Sequence, residues 1–395
     1  MSSPSAREAL LSGKTVLVLG GGIGGLTAAN HLRRLSSPAE PRIVVIERKR
    51  AFSACMSNLW VMTGERKDPR EGERELSGLA VRGIEVVRAD IQAIDPAART
   101  VQTTAGTLAG DYIVIALGAE TNPRAVPGFA ESALNLYEGD GALHIQRALE
   151  GFSGGRIVVL ISRTPFSCPS APYEAAFLIE SLLRQRGIRG QTEIALYTPE
   201  DQPMLVAGPN VGPALTRMLE ERGIELHWEQ IPMKIDAAAR RILFELDDTS
   251  FDLLVGVPPH TAPLAVREGG LVDASGWVPV DPATLRTRYA GVFAIGDVTA
   301  IRLPVGMFLP KAGVFADEQA RVVAANIAAE ITGDGAPAQY TGRGFCYIEV
   351  GDGMAAYGSG NFYGTSGPRV TLEPPSRRYR EEKEDLERTL LALWD

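Results

Sequence analysis

Short apolar runs alternate with helix-like segments along the first part of the chain. Lys14–Leu19 (KTVLVL) and Arg42–Ile46 (RIVVI) have the continuous apolar character of strands that are buried on both faces of a parallel sheet. Leu26–Leu32 lies between them and has the composition of a helix. A strand, a helix and a second strand in this order predict a βαβ unit, so the chain is expected to have an α/β fold.

The same pattern returns in mid-chain and again later. Gly155–Ile161 (GRIVVLI) is predicted to be a strand, and Tyr173–Leu183 is predicted to be a helix. Tyr112–Ala119 and Gly291–Val298 each join an apolar strand to a turn of small residues. These segments predict a second unit of the Rossmann type in addition to the first.

Composition and charge narrow the classes of function. The chain has 395 residues, 45% of them hydrophobic, which is enough for two or three lobes with cores of their own. A net charge of −8 argues against a nucleic-acid partner. No apolar run approaches the roughly 20 residues that cross a bilayer, and nothing at the N-terminus predicts secretion, so a cytoplasmic location is expected. Three cysteines are too few for a disulfide framework and too widely spaced for a metal site, and no metal is predicted.

A glycine-rich turn follows the first strand. The glycines of a G-x-G-x-x-G fingerprint stand at Gly20, Gly22 and Gly25. In such a turn the first glycine permits the tight bend, the second admits a pyrophosphate and the third lets the helix pack on the strand. Glu47 lies 22 residues after Gly25 (47 − 25 = 22), where a carboxylate accepts a hydrogen bond from a ribose hydroxyl. The first unit is therefore predicted to bind a dinucleotide.

Two later turns identify that dinucleotide. One strand ends at Gly118, and another runs into Gly296 and Asp297. With the first fingerprint, these segments resemble the flavoproteins with two dinucleotide-binding domains. The resemblance implies FAD on the first unit, with Asp297 at the ribityl and pyrophosphate part of the cofactor. A carboxylate at the C-terminal edge of a parallel strand agrees with that role, although Asp297 could also cap a turn.

The second unit lacks the expected fingerprint. The turn between its strand and its helix, residues 162–172, contains no glycine and has prolines at Pro165, Pro169 and Pro172. Proline removes backbone donors and stiffens the loop, so a pyrophosphate has little to hold it. The sequence predicts that the fold of this unit is retained and that NAD(P)H is not the electron donor.

A cysteine stands on this loop instead. Cys168 lies just ahead of the predicted helix, whose dipole is expected to lower the pKa of the thiol. Cys346 lies at the opening of a late strand, in GRGFCYIEV. The run CPSAPYE on the loop, together with this distant cysteine, resembles sulfide:quinone oxidoreductases and flavocytochrome c sulfide dehydrogenases. The resemblance implies a redox pair of Cys168 and Cys346 on one face of the flavin. Without it, packing as an inert thiol is the better explanation of each cysteine.

Two charged residues have candidate roles by the same resemblance. Glu174, six residues after Cys168, matches a carboxylate near the sulfur site and is a candidate proton acceptor; complementing the helix dipole is the alternative. Lys311 opens a helix-like stretch that lies against the flavin ring in the family, where a cation would stabilise the reduced, anionic flavin. A surface lysine is the alternative reading.

The third cysteine departs from the quinone-reducing pattern. Cys55, in Phe52–Asn58, resembles the cysteine that bonds covalently to the 8α-methyl group of the flavin in the flavocytochrome branch. The resemblance implies a thioether from Cys55 to FAD, and a thiol beside a non-covalent flavin is the alternative. The chain has no C-x-x-C-H haem motif, so the electron acceptor is open between a quinone and a cytochrome.

The resemblance also implies a domain plan and a function. Residues 1–150 and 280–335 would form a split FAD domain, 151–279 a degenerate NAD-like domain and 336–395 a small α+β domain that carries Cys346. The expected function is oxidation of sulfide to zero-valent sulfur or polysulfide, with electrons passed to quinone. An NAD(P)H-dependent flavin reductase and a non-catalytic redox sensor are the alternatives. The segment 377–395 could be an amphipathic helix for peripheral contact with the inner face of the cell membrane, or a surface or homodimer helix.

Overall fold

The computed structural model describes residues 13–36, 41–333 and 337–392. Its α-helices span Ile23–Arg34, Asn58–Thr63, Phe129–Ser132, Gly139–Gly151, Ala171–Gln185, Val211–Glu220, Leu264–Glu268, Gly313–Thr332 and Arg377–Leu391. Short 3₁₀ helices span Cys55–Ser57, Pro69–Gly72, Leu76–Arg82, Pro123–Ala125, Arg189–Gln191, Leu205–Ala207 and Gly296–Val298.

Two five-stranded parallel sheets form the body of the protein. The first sheet has the order Val292–Ala294, Tyr112–Ile115, Thr15–Leu19, Arg42–Glu47, Ile84–Arg88. Its central strand is fully buried from Val16 to Leu19, because helices or loops cover both faces of the sheet. The strand from residue 292 joins this sheet although almost two hundred residues separate it from its neighbour.

The second sheet repeats the order of the first. Its strands are Leu134–Asn135, Leu253–Val257, Gly155–Ile161, Thr192–Tyr197 and Ile224–His227. In both sheets the first strand of the unit is central, its helix leads to the next strand on one side, and a later strand pairs on the other side. The edge between these oppositely placed neighbours is where open α/β sheets bind ligands. The predicted α/β fold with two Rossmann-like sheets is confirmed.

A three-stranded antiparallel sheet follows near the C-terminus. Its strands are Arg343–Gly351, Met354–Asn361 and Arg369–Ser376, and the helix Arg377–Leu391, here the C-terminal helix, begins directly after the last strand. Three two-stranded sheets pair Ala51–Ser53 with Glu73–Glu75, Glu120–Thr121 with His260–Thr261, and Val278–Pro279 with Thr299–Ala300. Two further antiparallel sheets have three strands each, in the orders Ile91–Asp95, Thr100–Thr103, Gly106–Ala109 and Lys234–Asp236, Arg241–Leu243, Asp248–Ser250.

One buried apolar cluster connects these layers. It includes Val16 of the first sheet, Ile157 of the second and Ile348 of the C-terminal sheet, all without solvent exposure. The C-terminal sheet therefore packs on the body as a third layer of one core. In the part of the chain that the structure describes, no helix is long and apolar enough to cross a membrane.

Several predicted element boundaries were wrong. The helix of the second unit begins at Ala171, so Pro172 belongs to its first turn, where a proline costs no intrahelical hydrogen bond. Cys346 lies in the middle of its strand and not at the opening. Lys311 precedes its helix, which begins at Gly313. The predicted C-terminal helix is present as far as Leu391, and residues 393–395 lie outside the described residues.

Candidate active site

The glycine turn of the first unit has the tight geometry that its sequence predicts. Gly20 has a φ of +105°, and a Cβ there would overlap the carbonyl oxygen of Ala116. A Cβ on Gly25 would overlap the carbonyl oxygen of Gly20. The helix Ile23–Arg34 therefore packs against the turn closely enough to exclude any larger residue at these two positions.

Gly22 is different, because its backbone faces open space. A Cβ there would meet no protein atom within 4 Å, and Gly22 is also the N-cap residue directly before the helix. Free backbone donors at a helix N-terminus, next to an open groove, suit a pyrophosphate. Glu47 lies beside this turn, where its two carboxylate oxygens accept hydrogen bonds from the backbone of Gly21 (2.7 Å) and Lys49 (2.9 Å).

Asp297 lies at the corresponding edge of the first sheet. Gly296, with a φ of +72°, donates its N–H to the side chain of Gln319 at 2.7 Å, and this bond fixes the turn. Asp297 accepts a hydrogen bond from the hydroxyl of Ser167 at 2.6 Å, and burial raises the pKa of its carboxyl group. The partner of the Asp297 side chain is thus the loop of the second unit. Gly118, with a φ of +64°, also faces open space.

The loop of the second unit turns away from its own sheet. At the end of the strand, the hydroxyl of Ser162 donates to the carbonyl oxygen of Val257 at 2.6 Å, so this side chain binds the neighbouring strand of its own sheet. Farther along, Ser167 pairs with Lys311 as in a parallel sheet, and the N–H of Cys168 donates to the carbonyl oxygen of Lys311 at 2.7 Å. The loop is therefore attached to the segment that precedes the helix Gly313–Thr332.

The structure brings Cys168 and Cys346 to one pocket. Both are free thiols, and the pocket that they line has an empty volume of about 600 Å³. Its wall is almost entirely apolar and includes Met204, Val211, Phe315, Phe362, Val370 and Leu372. An apolar pocket with two thiols can hold a small, weakly hydrated sulfur species beside both sulfur atoms.

The expectation of a lowered thiol pKa at Cys168 was wrong. The side chain reaches the pocket, yet the surrounding protein desolvates the thiol and raises its pKa to about 12, and the nearby carboxylate of Glu174 adds to the rise. Cys168 has a φ of +47° and lies three residues before the helix, so the helix dipole does not compensate for this desolvation. The pKa of Cys346 is raised to about 12 as well, first by burial and then by Glu174.

Glu174 is placed between the two cysteine segments. One of its oxygens accepts a hydrogen bond from the hydroxyl of Ser170 at 2.8 Å, and that hydroxyl lies 3.9 Å from the sulfur of Cys168. The other oxygen accepts the N–H of Glu349 at 3.1 Å and also binds the ammonium group of Lys383. Glu174 therefore does more than complement a helix dipole.

Lys311 is buried, so the alternative of a surface lysine was wrong. Its ammonium group donates to the carbonyl oxygens of Asp297 (2.5 Å) and Thr299 (3.2 Å) and lies 3.4 Å from the ring centre of Trp277. Burial lowers the pKa of Lys311 to about 8, although the charge of Asp297 opposes the change. A buried cation at the edge of the groove is well placed to stabilise negative charge there.

Cys55 lies on the same side of the molecule as Asp297. Its side chain is exposed in a groove, where desolvation by the surrounding protein raises the pKa of the thiol, Lys49 lowers it and Asp297 raises it further. The electrostatic effect of Asp297 shows that the two side chains are near each other. The structure thus brings Cys55 near Asp297 as a thiol without a disulfide.

The sequence analysis missed several residues of this site. Ser170, Lys383 and Glu349 link the cysteine loop to the C-terminal helix. Tyr137 donates its hydroxyl to the carbonyl oxygen of Cys168 at 3.3 Å. The sequence did contain an indication of the role of Lys383. This residue follows Arg380 by three positions and precedes Glu387 by four, so the three charged residues lie on one face of the predicted helix.

Comparison with known proteins assigns the family. A family model described as pyridine nucleotide-disulphide oxidoreductase matches residues 14–325. The chain belongs to this family. It is consequently a flavoprotein oxidoreductase, and the family implies FAD, which the groove beside Gly22, Glu47 and Asp297 fits.

Individual relatives confirm the resemblance to sulfide:quinone oxidoreductases. The mitochondrial enzyme of that name from Mus musculus is 27% identical over 306 residues, which are 72% of this chain and 65% of the mouse protein. The crystal structure of the sulfide:quinone oxidoreductase from Aquifex aeolicus has a TM-score of 0.86 at 24% identity and covers 95% of this chain and 90% of that one, so it shows the same fold. An NADH dehydrogenase-like protein of Mycobacterium tuberculosis is 24% identical over 349 residues, 73% of this chain and 83% of its own.

Proposed function

We propose that this protein oxidises sulfide through Cys168 and Cys346 and passes the electrons through FAD to a quinone. The observation that carries the proposal is the position of the two thiols at one apolar pocket, on the loop that replaces the glycine turn of the second unit. The relatives named as sulfide:quinone oxidoreductases support both the donor and the acceptor.

The cysteine chemistry follows thiol–disulfide exchange. In the oxidised enzyme, hydrosulfide attacks one sulfur of a Cys168–Cys346 disulfide; the S–S bond breaks, one cysteine leaves as a thiolate and the other becomes a persulfide. Loss of two electrons from this pair then joins the two cysteines through the added, zero-valent sulfur atom. A further sulfur nucleophile removes that atom as part of a polysulfide. Protons released from the attacking sulfur and from the thiols pass to Glu174 through the hydroxyl of Ser170.

FAD supplies the two-electron acceptor that connects the sulfur pair to the quinone. Gly20, Gly22 and Gly25 would hold its pyrophosphate, Glu47 its ribose and Asp297 its ribityl chain, with Gly118 and Gly296 leaving room for its close approach. Lys311 would stabilise the negative charge of the reduced cofactor. These roles agree with the positions of the residues around one groove.

We place the quinone on the other face of the strand that carries Cys346. Side chains alternate along a strand, and Tyr347, unlike Cys346, does not line the thiol pocket. Tyr357 and Tyr379 complete a half-buried aromatic cluster there, with ring centroids of Tyr347 and Tyr357 5.1 Å apart and those of Tyr357 and Tyr379 5.3 Å apart. Aromatic side chains that are partly exposed suit stacking with a quinone ring. Tyr357→Ala is expected to raise KM for a short-chain quinone and to leave the reduction of the flavin by sulfide unchanged.

Cys55 is proposed to form a thioether with the 8α-methyl group of FAD. The sulfur–carbon bond forms with loss of the thiol proton and of one methyl hydrogen, and the two electrons set free stay on the cofactor until an acceptor removes them. Precipitation of the holoenzyme with acid tests the bond: yellow colour stays in the wild-type pellet and moves to the supernatant for Cys55→Ser. Colour in the wild-type supernatant, or a yellow Cys55→Ser pellet, would exclude it.

Anaerobic bleaching of the flavin tests the donor. Sulfide is expected to bleach the wild-type flavin, and Cys168→Ser and Cys346→Ser are expected to bind FAD and stay yellow. Bleaching by NADH and not by sulfide would overturn the proposal in favour of the NAD(P)H-dependent reductase that the mycobacterial relative suggests. Bleaching by neither donor would favour the redox sensor. Reoxidation by a short-chain quinone, measured against cytochrome c, then decides the acceptor.

The domain limits and the location belong to this proposal. We propose a split FAD domain (1–150 and 280–335), an NAD-like domain (151–279) and a C-terminal domain (336–395). Four of the five strands of the second sheet lie within residues 151–279, and Leu134–Asn135 lies before them. Because quinones reside in bilayers, we infer peripheral contact with the inner face of the cell membrane. Exposed Val305 and Phe308, on the loop before Lys311, are candidates for that contact. Co-flotation with liposomes tests this contact. Loss of flotation in the double variant Val305→Asp/Phe308→Asp would support it, and unchanged flotation would favour the homodimer as the alternative.

A further inference from the structure

The C-terminal helix docks on the body through charged residues. Its buried side chains are Arg380, Lys383 and Glu387, followed by Leu390 and Leu391 at its end. A helix on the surface of a protein usually buries an apolar stripe. Here most of the buried face consists of ionic groups, so the helix is held by specific partners in the body.

Lys383 is at the centre of these partners. Its ammonium group binds a carboxylate oxygen of Glu174 and lies 2.8 Å from the carboxylate of Glu349. Arg380 binds the second oxygen of Glu349 at 2.7 Å, and the indole N–H of Trp60 donates to the first at 2.8 Å. The side chains of Glu174 and Glu349 are each 2% exposed, and that of Lys383 is 6% exposed.

The charges in this cluster balance. The two fully buried carboxylates, Glu174 and Glu349, face two buried cations, Lys383 and Arg380. Arg380 also pairs with the half-exposed carboxylates of Glu65 and Glu384 at the outer side of the cluster. Burial alone would lower the pKa of Lys383, but Glu174 and Glu349 hold it above its ordinary value, so Lys383 is charged. Burial and the carboxylate of Glu174 raise the pKa of the Cys168 thiol and Lys383 lowers it, so loss of Lys383 leaves the effect of the carboxylate unopposed.

The cluster reaches the redox pair through a short path. Glu174 accepts a hydrogen bond from the hydroxyl of Ser170, and this hydroxyl lies beside the sulfur of Cys168. On the other side, Glu174 accepts the N–H of Glu349, which lies three residues after Cys346 on the same strand. One carboxylate thus contacts the segments of both cysteines, and its only cationic partner within the described residues is Lys383.

We propose that Lys383 is a positioning residue of the sulfur site, which holds Glu174 as a carboxylate that accepts the proton of Cys168 through Ser170. The proton of the thiol moves to the oxygen of Ser170 as the hydroxyl proton of Ser170 moves to Glu174. No electrons are transferred in this step. The inference rests on the proposed function for its catalytic meaning, although the activation of the thiol is measurable without sulfide.

The test is the rate at which iodoacetamide alkylates Cys168 in the reduced holoenzyme, followed by mass spectrometry of the Cys168 peptide between pH 8 and pH 10. Lys383→Met is expected to slow this reaction about threefold, because a rise of about one unit in thiol pKa lowers the thiolate fraction about tenfold while the more basic thiolate is about threefold more nucleophilic. Lys383→Arg, which keeps the charge, is expected to restore most of the rate. Arg388→Met, which removes an exposed cation from the same helix, is the matched control and is expected to change nothing.

A second variant covers the case in which Lys383→Met does not fold. Lys383→Met with Glu349→Gln removes one charge of each sign, so the cluster stays balanced while Glu174 still loses its cation. A folded, FAD-binding double variant that alkylates as fast as the wild type would overturn the inference. A Lys383→Arg variant that alkylates as slowly as Lys383→Met would also overturn the inference.

The two proposals fail in different measurements. If sulfide does not bleach the wild-type flavin, the proposed function is wrong whatever the alkylation rates. If sulfide bleaches it but alkylation does not depend on the charge at residue 383, the function stands and the positioning role is wrong. If both hold, Lys383→Met is also expected to lower the maximal bleaching rate without changing the sulfide concentration that gives half of it.

Discussion

The strands Thr15–Leu19 and Gly155–Ile161 occupy equivalent central places in their sheets, but the loops after them differ. After the first strand, three glycines bring the helix close to the turn and leave backbone donors facing open space at Gly22. After the second, Ser162 binds the neighbouring strand of its own sheet, and the loop runs on to Lys311. One framework therefore supports two kinds of site: an anion-binding turn and a loop that presents a thiol.

The acidic residues after the next strands differ in the same way. Glu47 binds the backbone of the glycine turn and stays partly exposed at the groove. Glu200, just beyond the strand Thr192–Tyr197, accepts a hydrogen bond from the hydroxyl of Tyr173 at 2.5 Å. Tyr173 is a fully buried residue of the helix that follows the cysteine loop. In the second unit, this acid thus binds a side chain of the helix after the cysteine loop, whereas Glu47 binds only backbone N–H groups of its own turn and strand end.

The largest effect is expected from a substitution in the glycine turn of the first unit. Gly25→Ala places a methyl group on the carbonyl oxygen of Gly20, and we expect it to lower the free energy of unfolding by at least about 3 kcal/mol. Gly22→Ala meets no protein atom, so it is expected to keep the thermal stability of the apoprotein and to weaken FAD binding about tenfold or more. Calorimetry of the apoproteins and titration with FAD measure both. Equal loss of stability in the two variants would contradict the geometry.

The second loop is expected to hold an unusually unreactive thiol in the resting, reduced protein. With a pKa of about 12, the thiolate fraction of Cys168 at pH 8 is about a thousandfold below that of an ordinary thiol. The greater nucleophilicity of a more basic thiolate restores about twentyfold. Alkylation should therefore be about fifty times slower than for a free cysteine peptide and should rise with pH without a plateau below pH 11. A plateau near pH 8 would show that the helix dipole dominates after all.

Glu200 makes stability depend on pH in the second unit. Burial raises the pKa of Glu200 to about 7 against the effect of the hydrogen bonds from Tyr173 and Thr198. The folded state therefore binds a proton that the unfolded state releases, so this contribution is present below pH 4.5 and is lost as pH rises to about 7. Glu200→Gln cannot ionise, so this loss of stability with rising pH is absent in the variant. We expect it to be more stable than the wild type by about 1 to 3 kcal/mol at pH 8 and equal to it near pH 4.5.

Denaturant unfolding at the two pH values measures this difference. Glu193→Gln, an exposed position on the strand that precedes Glu200, is the matched control and should show no such change with pH. A Glu200→Gln variant that is less stable than the wild type at pH 8 would show that Glu200 is charged in the folded protein and stabilised there.

The smallest expected effect concerns the contact between the two units. Ser167→Ala removes the hydrogen bond to Asp297 and is expected to cost about 1 to 2 kcal/mol of apoprotein stability. A double-mutant cycle with Asp297→Asn isolates the interaction. Additive effects would mean that the loop is held by the backbone pairing of Ser167 with Lys311 alone.

The sequence was informative where a residue type has one physical use. Glycines at Gly20 and Gly25 predicted a close helix–turn contact because no other residue fits there. The missing glycines of residues 162–172 predicted that the second loop differs. The family resemblance supplied the pairing of Cys168 with Cys346, which no local pattern contains because 178 residues (346 − 168 = 178) separate them.

The electrostatics of the site could not be predicted in this way. Proximity to a helix start suggested an acidic thiol at Cys168, but the pKa depends on how much protein surrounds the sulfur, which only the packed structure shows. For the same reason, the sequence allowed Lys311 either at the surface or beside the flavin. The structure shows that Lys311 is buried. Lys383 was overlooked because its partners, Glu174 and Glu349, are distant in the sequence.

Because the cysteine loop is attached to Lys311, which is synthesised later, the loop can be completed only after that part of the chain has been made. Cys168 leaves the ribosome 215 residues before Lys383 (383 − 168 = 215), which at ordinary rates of synthesis is about 10 to 40 s. Until Lys311, Cys346 and the C-terminal helix have been made, the loop lacks these partners, and its thiol is less covered than in the finished enzyme. The nascent chain, and not the finished enzyme, is therefore the form in which Cys168 is most open to oxidants and alkylating agents.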